Sequence, residues 1–117
     1  HTHKTAALIV ASLEAGAVLA RASKAQRAAL REYGKDVGLA FQIADDVLDR
    51  VGDKAKLGKK GSDLANDKLT YPRLFGLERS RELALSYVAR AQAALKPFGR
   101  RAAVLHELAD YVVSRDR

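Results

Sequence analysis

The sequence predicts an all-α protein, a helical bundle built as one domain over residues 1–117. Three observations carry that prediction. Apolar residues recur at three- and four-residue steps from Leu30 to Leu48. Alternating strand patterns and internal repeats are both missing. Alanine, leucine, lysine and arginine, all good helix formers, are abundant in a chain with only two prolines.

The elements follow in order. A first helix is expected over about 3–20, apolar on nearly all sides, as suits a helix packed within a bundle rather than on its rim. "RASKAQ" breaks it, with Ser23 placed to cap the next helix. That second helix spans about 24–51, with Leu30, Tyr33, Val37, Phe41, Ala44 and Leu48 as its core stripe. Leu39, Ile43 and Val47 form a second apolar row. Gly52 is placed to stop it. A basic loop over 52–69, "GDKAKLGKKGSDLANDKL", holds three glycines among its lysines. Thr70 then caps a short helix, "YPRLFGLE", with Pro72 in its first turn, where proline is tolerated. A fourth helix over about 80–96 turns Ala84, Val88, Ala91 and Leu95 inward and ends at Pro97 and Gly99. The last, over about 101–115, uses Leu105, Leu108 and Val112.

Composition narrows the function class without naming it. Hydrophobic residues make up 48% of the chain, too many for a disordered tail. Cysteine is absent, which excludes disulfides and thiolate metal sites. The 21 basic residues against 14 acidic ones leave a net charge of +7, which suits polyanionic partners: nucleic acid, an acidic membrane face or phosphorylated small molecules. The longest apolar stretch, "TAALIVASLEAGAVLA", carries Glu14 and falls short of the ~20 residues that cross a bilayer. No signal peptide is visible, so a soluble, cytoplasmic protein without a membrane span is expected.

"AFQIADDVLDRVGD", residues 40–53, sets three carboxylates into an apolar helix. On a wheel at ~100° per residue, Gly38, Gln42, Asp45, Asp46 and Asp49 share one arc, which Arg31 and Lys35 extend backwards. An ordinary wet face would also present such an arc. Two features favour a site. The aspartates occupy the last two turns of the expected helix, where the helix dipole disfavours anions. They also crowd one patch at i,i+3 and i,i+4 with no interleaved base, a repulsion most simply relieved by a divalent cation. Hard oxygen donors without cysteine or nearby histidine suit magnesium, or manganese, rather than zinc. Magnesium takes one or two carboxylates and completes its shell with water and phosphate oxygens. The lysines that follow supply point charges for phosphate, so helix and loop together make a diphosphate clamp.

These residues resemble the trans-isoprenyl diphosphate synthases, the farnesyl and geranylgeranyl diphosphate synthase family. "FQIADDVLD" is similar to that family's second aspartate-rich motif, "GDKAKLGKKGSDLANDKLTYP" to the segment after it, "HKTAAL" to its Lys-Thr helix and "LADYVVSRDR" to its carboxyl termini. The resemblance runs over all 117 residues. It implies the carboxyl-terminal part of the isoprenoid synthase fold. It also implies a magnesium-dependent prenyltransferase that joins isopentenyl diphosphate to an allylic diphosphate. Position by position, Asp45 and Asp49 would bind metal with Asp46 assisting, and Lys4, Lys59 and Lys68 would hold the allylic diphosphate. Thr5 and Gln42 would lie beside the allylic carbon. Phe41 would line the apolar end of that cavity. A complete protein of this kind would be a homodimer.

The family's first aspartate-rich motif and its upstream Gly-Lys-Arg segment are nowhere in these residues. The chain is therefore expected to be the carboxyl half of a synthase, inactive without its amino-terminal half. A class I terpene cyclase shares the metal logic, but its second motif mixes Asn, Ser or Thr with acids and lacks the downstream Gly-Lys pattern. A non-catalytic subunit of a heteromeric synthase fits the missing motif but not the intact aspartates and lysines. A nucleic-acid binder fits the charge, yet the basic residues are scattered and the best polar face is acidic. His1, His3 and His106 have no spacing that makes a metal pair.

Overall fold

The computed structural model describes the backbone of residues 2–60 and 70–115 and the side chains of residues 4–52 and 70–115. Among the described residues every regular element is helical: α1 (Thr2–Leu19), α2 (Lys24–Lys60), α3 (Tyr71–Phe75), α4 (Leu77–Ala94) and α5 (Ala103–Ser114). A short 3₁₀ segment, Lys96–Ala102, joins α4 to α5. The all-α expectation holds. The 37 residues of α2 span ~55 Å at 1.5 Å per residue, which accounts for the molecule's long dimension of 54 Å.

Helix α2 is the spine. It packs against α1 on one side and α4 on another, with α5 closing over part of the seam. Ser23 opens it as expected: its Oγ accepts from the Gln26 amide at 3.0 Å, while the Gln26 side chain accepts from the Ser23 amide at 2.8 Å. This reciprocal pair satisfies two donors that a helix start leaves over. The core is formed by Tyr33, Val37 and Ala40 of α2, Val88 and Ala91 of α4 with Leu95 just beyond it, Ala102, and Ala109 and Val112 of α5. Ile43 and Val47 continue it along α2. The expected stripe of α4 is buried as read, whereas Leu108 of α5 is 42% exposed and Ala109 takes the inward place.

The second helix does not stop at Gly52. It continues through Asp53, Lys54 and onward to Lys60, so the basic loop expected over 52–69 begins no earlier than residue 61. Glycine weakens a helix by only ~1 kcal/mol, and here lysine, alanine and leucine follow it, not a proline or a capping partner. The aspartates therefore sit in the body of α2, about three turns before Lys60. The dipole argument for them falls, because the end charge fades within the last turn.

The first helix also differs from expectation. Among the described residues α1 packs only on α2, and Leu8, Val18 and Leu19 are 59–84% exposed. A helix apolar all round leaves its far face uncovered when it has one neighbour. The short third helix ends at Phe75, not Glu78: Gly76, at φ +84°, separates it from α4. Thr70 caps α3, and Pro72 is buried at its start. No helix among the described residues is long and apolar enough to cross a membrane.

Candidate functional site

The site is set by how α1 meets α2. Glycines at 34 and 38, one turn apart, let the helices approach. A Cβ built on Gly38 would fall 2.8 Å from the Cβ of Ala6, and one on Gly34 would fall 3.0 Å from Leu13 and 3.2 Å from Val10. Arg31 donates to Glu14 at 2.8 Å across the same seam. Residue numbers fall on α1 as they rise on α2, so the helices run antiparallel. Continuing this register sets Thr5 and Lys4 level with Leu39 and Ala40, just short of Phe41 and Gln42. At Gly38 the predicted polar arc thus faces another helix, not water, while Arg31 and Lys35 behind it stay exposed.

Lys4 is exposed on the first turn of α1 and Thr5 is half-buried beside Ala6. On α2, Phe41, Gln42, Asp45 and Asp46 are half-buried and Asp49 is exposed. Lys59 lies in the helical backbone, but its side chain is outside the described residues, as is all of Lys68. The expected clamp between aspartates and lysines therefore rests, for its basic side, on Lys4 alone among the described side chains. His106 lies on α5. It is half-buried, and its carbonyl accepts from the Gln92 side chain at 3.2 Å.

As a donor set, the aspartates suit a hard cation. All offer carboxylate oxygens, and Asp45 and Asp49 stand one turn apart on one face. No group of three or more His, Cys, Asp or Glu among the described residues comes together as a metal site. Magnesium does not need one, since it is held by one or two carboxylates plus phosphate oxygens. Asp45 and Asp49, one turn apart, fit that requirement. A cavity of about 360 Å³ lies on the other side of α2, between α4 and the end of α5, lined by Val47, Leu48, Ala84, Leu85, Val113 and Arg115.

Two residues escaped the reading of motifs. Arg115, just past α5, reaches the aspartate helix: its guanidinium lies 4.4 Å over the Phe41 ring and its Nη2 3.8 Å from Asp45 Oδ1. One face of Phe41 is therefore covered by a cation. The resemblance of "LADYVVSRDR" to family termini was a signal for that segment, but no spacing links residue 115 to residue 45. Asp36 is the other. Its side chain is 5% exposed and lies 3.8 Å from the Arg90 Nε, with Oδ1 making no hydrogen bond among the described residues. Burial pushes its carboxyl above the usual range, which Glu32 reinforces and Arg90 and Lys35 oppose. Near the far end of the same core, Tyr33 donates its hydroxyl to the Leu105 carbonyl at 2.6 Å, and burial pushes that phenol up to about 12.

Comparison with known proteins meets this geometry from outside it. The chloroplastic geranylfarnesyl diphosphate synthase of Leucosceptrum canum is 46% identical over 119 aligned residues, which take in all of this chain and 33% of that protein. The farnesyl diphosphate synthase of Escherichia coli K12 is 43% identical over 123, again all of this chain and 41% of that protein. The crystal structure of an apo FPP/GFPP synthase from Zymomonas mobilis superposes with a TM-score of 0.79 at 42% identity, over 94% of this chain and 35% of that one. The chain thus spans about a third of the length of the first of these relatives. The family model of the polyprenyl synthetases matches residues 1–105, nine-tenths of the sequence, and to that family the chain belongs.

Proposed function

We propose that this chain is the carboxyl-terminal part of a magnesium-dependent prenyltransferase that joins isopentenyl diphosphate to an allylic diphosphate. The observation that carries the reading is the placement of Asp45, Asp46 and Asp49 in the body of α2. They lie just past the point where α1 brings Lys4 and Thr5 alongside. The relatives named above, prenyl diphosphate synthases all, support the same class.

In this reading Asp45 and Asp49 hold magnesium, with Asp46 beside them. Bound there, the metal offsets the negative charge that builds on the departing diphosphate. Lys4, with Lys59 and Lys68, binds the phosphate oxygens of the allylic substrate and holds its reactive carbon toward Thr5 and Gln42. The oxygen dipoles of those two side chains steady the positive charge that appears as the allylic C–O bond breaks. The double bond of isopentenyl diphosphate then supplies the electron pair of the new C–C bond, and a proton passes to the released diphosphate, restoring the alkene. Phe41 presents apolar surface that keeps water from the cation. The second substrate's site and the other metal-binding side are assigned to the amino-terminal half. The same proposal includes a homodimeric, cytoplasmic complete enzyme.

The test uses the complete protein. Asp45→Asn and Asp49→Asn should each lower magnesium-dependent incorporation of isopentenyl diphosphate by at least about a hundredfold, the scale for removing preorganised charge from a transition state. Wild-type turnover within tenfold for both variants would sink the assignment. A chain of residues 1–117 should condense nothing alone, and should recover activity when the amino-terminal half is supplied separately.

A further inference from the structure

Arg115 is held at four points, and one of them is a carboxylate of the proposed metal site. Its backbone leaves the helix in an extended conformation, φ −69° and ψ 156°, while its amide still donates to the Tyr111 carbonyl at 3.0 Å. Its Nε donates to the Val112 carbonyl at 3.2 Å. The guanidinium plate covers the Phe41 ring at 4.4 Å. Nη2 then stops 3.8 Å from Asp45 Oδ1, beyond hydrogen-bond distance but well within Coulomb reach.

That last contact is under-satisfied. The Arg115 side chain is only 12% exposed, and its Nη2 is buried without a hydrogen bond among the described residues. A guanidinium with an N–H left over in the interior is stabilised by an anion nearby. Asp45, its side chain 29% exposed, is that anion. Without metal, Arg115 is a cation that Asp45 faces from α5. The two elements it joins are 70 residues apart in sequence, so the contact also ties the carboxyl end of α5 to the middle of α2.

We propose that Arg115 is a built-in counter-ion that a divalent metal displaces from Asp45, and that its displacement loosens the end of α5. The inference rests on Asp45 being a metal ligand. A carboxylate oxygen turned toward a dication is no longer available to a guanidinium, and the two cations repel. The arginine then loses the charge that holds it inward, while its bond to Val112 and its ring contact remain. Arg115 is thus a positioning residue: it keeps Asp45 oriented before metal arrives and sets how much metal is needed to take its place. Because the same side chain caps α5, metal occupancy is transmitted to the residues from Tyr111 to Arg115.

Manganese binding to the purified protein, titrated in the presence of inorganic pyrophosphate and followed by the loss of the free-ion EPR signal, tests this directly. Arg115→Gln should bind manganese roughly fivefold more tightly than wild type, the size expected for relieving competition from a partly exposed ion pair. Arg115→Lys, which keeps the charge, should gain less. Tighter binding is not what a damaged fold produces. In the wild type, with no substitution at all, adding manganese and pyrophosphate should speed amide exchange over 111–115; unchanged or slower exchange there overturns the proposal. So does equal or weaker manganese binding by Arg115→Gln, which would make the guanidinium an aid to the anion rather than a rival of the metal. Asp45→Asn separates this from the parent reading. If it binds manganese as wild type does, the metal assignment itself fails. If it loses binding while Arg115→Gln changes nothing, the assignment stands and displacement is wrong.

Discussion

Replacing Gly38 by alanine should destabilise the protein, although alanine is the better helix former. The new methyl carbon would lie 2.8 Å from the Cβ of Ala6 and 3.5 Å from its Cα. Carbon atoms rest at ~3.5–4.0 Å, so α1 must withdraw by roughly 0.7–1.2 Å or tilt. Overpacking of that kind costs ~1–3 kcal/mol, while the gain in helix propensity is only ~1 kcal/mol, leaving a net loss of about 1 kcal/mol. Gly52 supplies the internal control. It sits in the same helix with nothing within 4 Å of its built Cβ, so Gly52→Ala should stabilise by up to ~1 kcal/mol. The difference between the two variants cancels propensity and reads the clash, about 1–3 kcal/mol. Urea denaturation followed by circular dichroism measures both. Ala6→Gly placed in the Gly38→Ala background should recover part of the loss, with a coupling of at least ~1 kcal/mol. Equal stability of Gly38→Ala and Gly52→Ala, or coupling below ~0.3 kcal/mol, would refute the close approach of α1 and α2. The same displacement would carry Thr5 and Lys4, next in sequence to Ala6, away from α2.

Asp36 should make stability pH-dependent. Its folded carboxyl is raised above the ordinary 3.8, so between the two values the native state holds a proton that the unfolded chain has released. The stability it contributes is fully present below that value and is lost as pH rises through the raised one. Asp36→Asn should therefore flatten the slope on the alkaline side of 3.8 and stabilise at neutral pH by about 1 kcal/mol, read from urea midpoints at several pH values. An unchanged slope would show that the Arg90 charge compensates the burial. Tyr33→Phe removes the 2.6 Å bond to the Leu105 carbonyl without changing shape and should cost about 1 kcal/mol at neutral pH, measured the same way.

Much of the bundle was legible because helical periodicity is a local property. The stripe at Tyr33 and Val37 and the one at Ala84, Val88, Ala91 and Leu95 are buried where the three- and four-residue steps put them. Both side-chain caps, Ser23 and Thr70, work through bonds to amides three residues on. Boundaries were harder to read. Gly52 looked like a stop because glycine often follows a helix, yet it is helical here, while Gly76, at a positive φ, is the glycine that parts two helices. A residue type suggests a break; the φ its neighbours impose decides it.

By itself the sequence determined the helical class, the polar arc on α2 and the family, since each is written in residue types at fixed short spacings. Tertiary structure alone decided what that arc faces. Gly38 lies against Ala6 because α1 runs antiparallel to α2, and Asp36 is trapped near Arg90 because α4 covers that side. Arg115 meets Asp45 only because α5 folds back along the spine, across 70 residues of chain. Partners that far apart are joined by packing, and a one-dimensional pattern holds no distance between them.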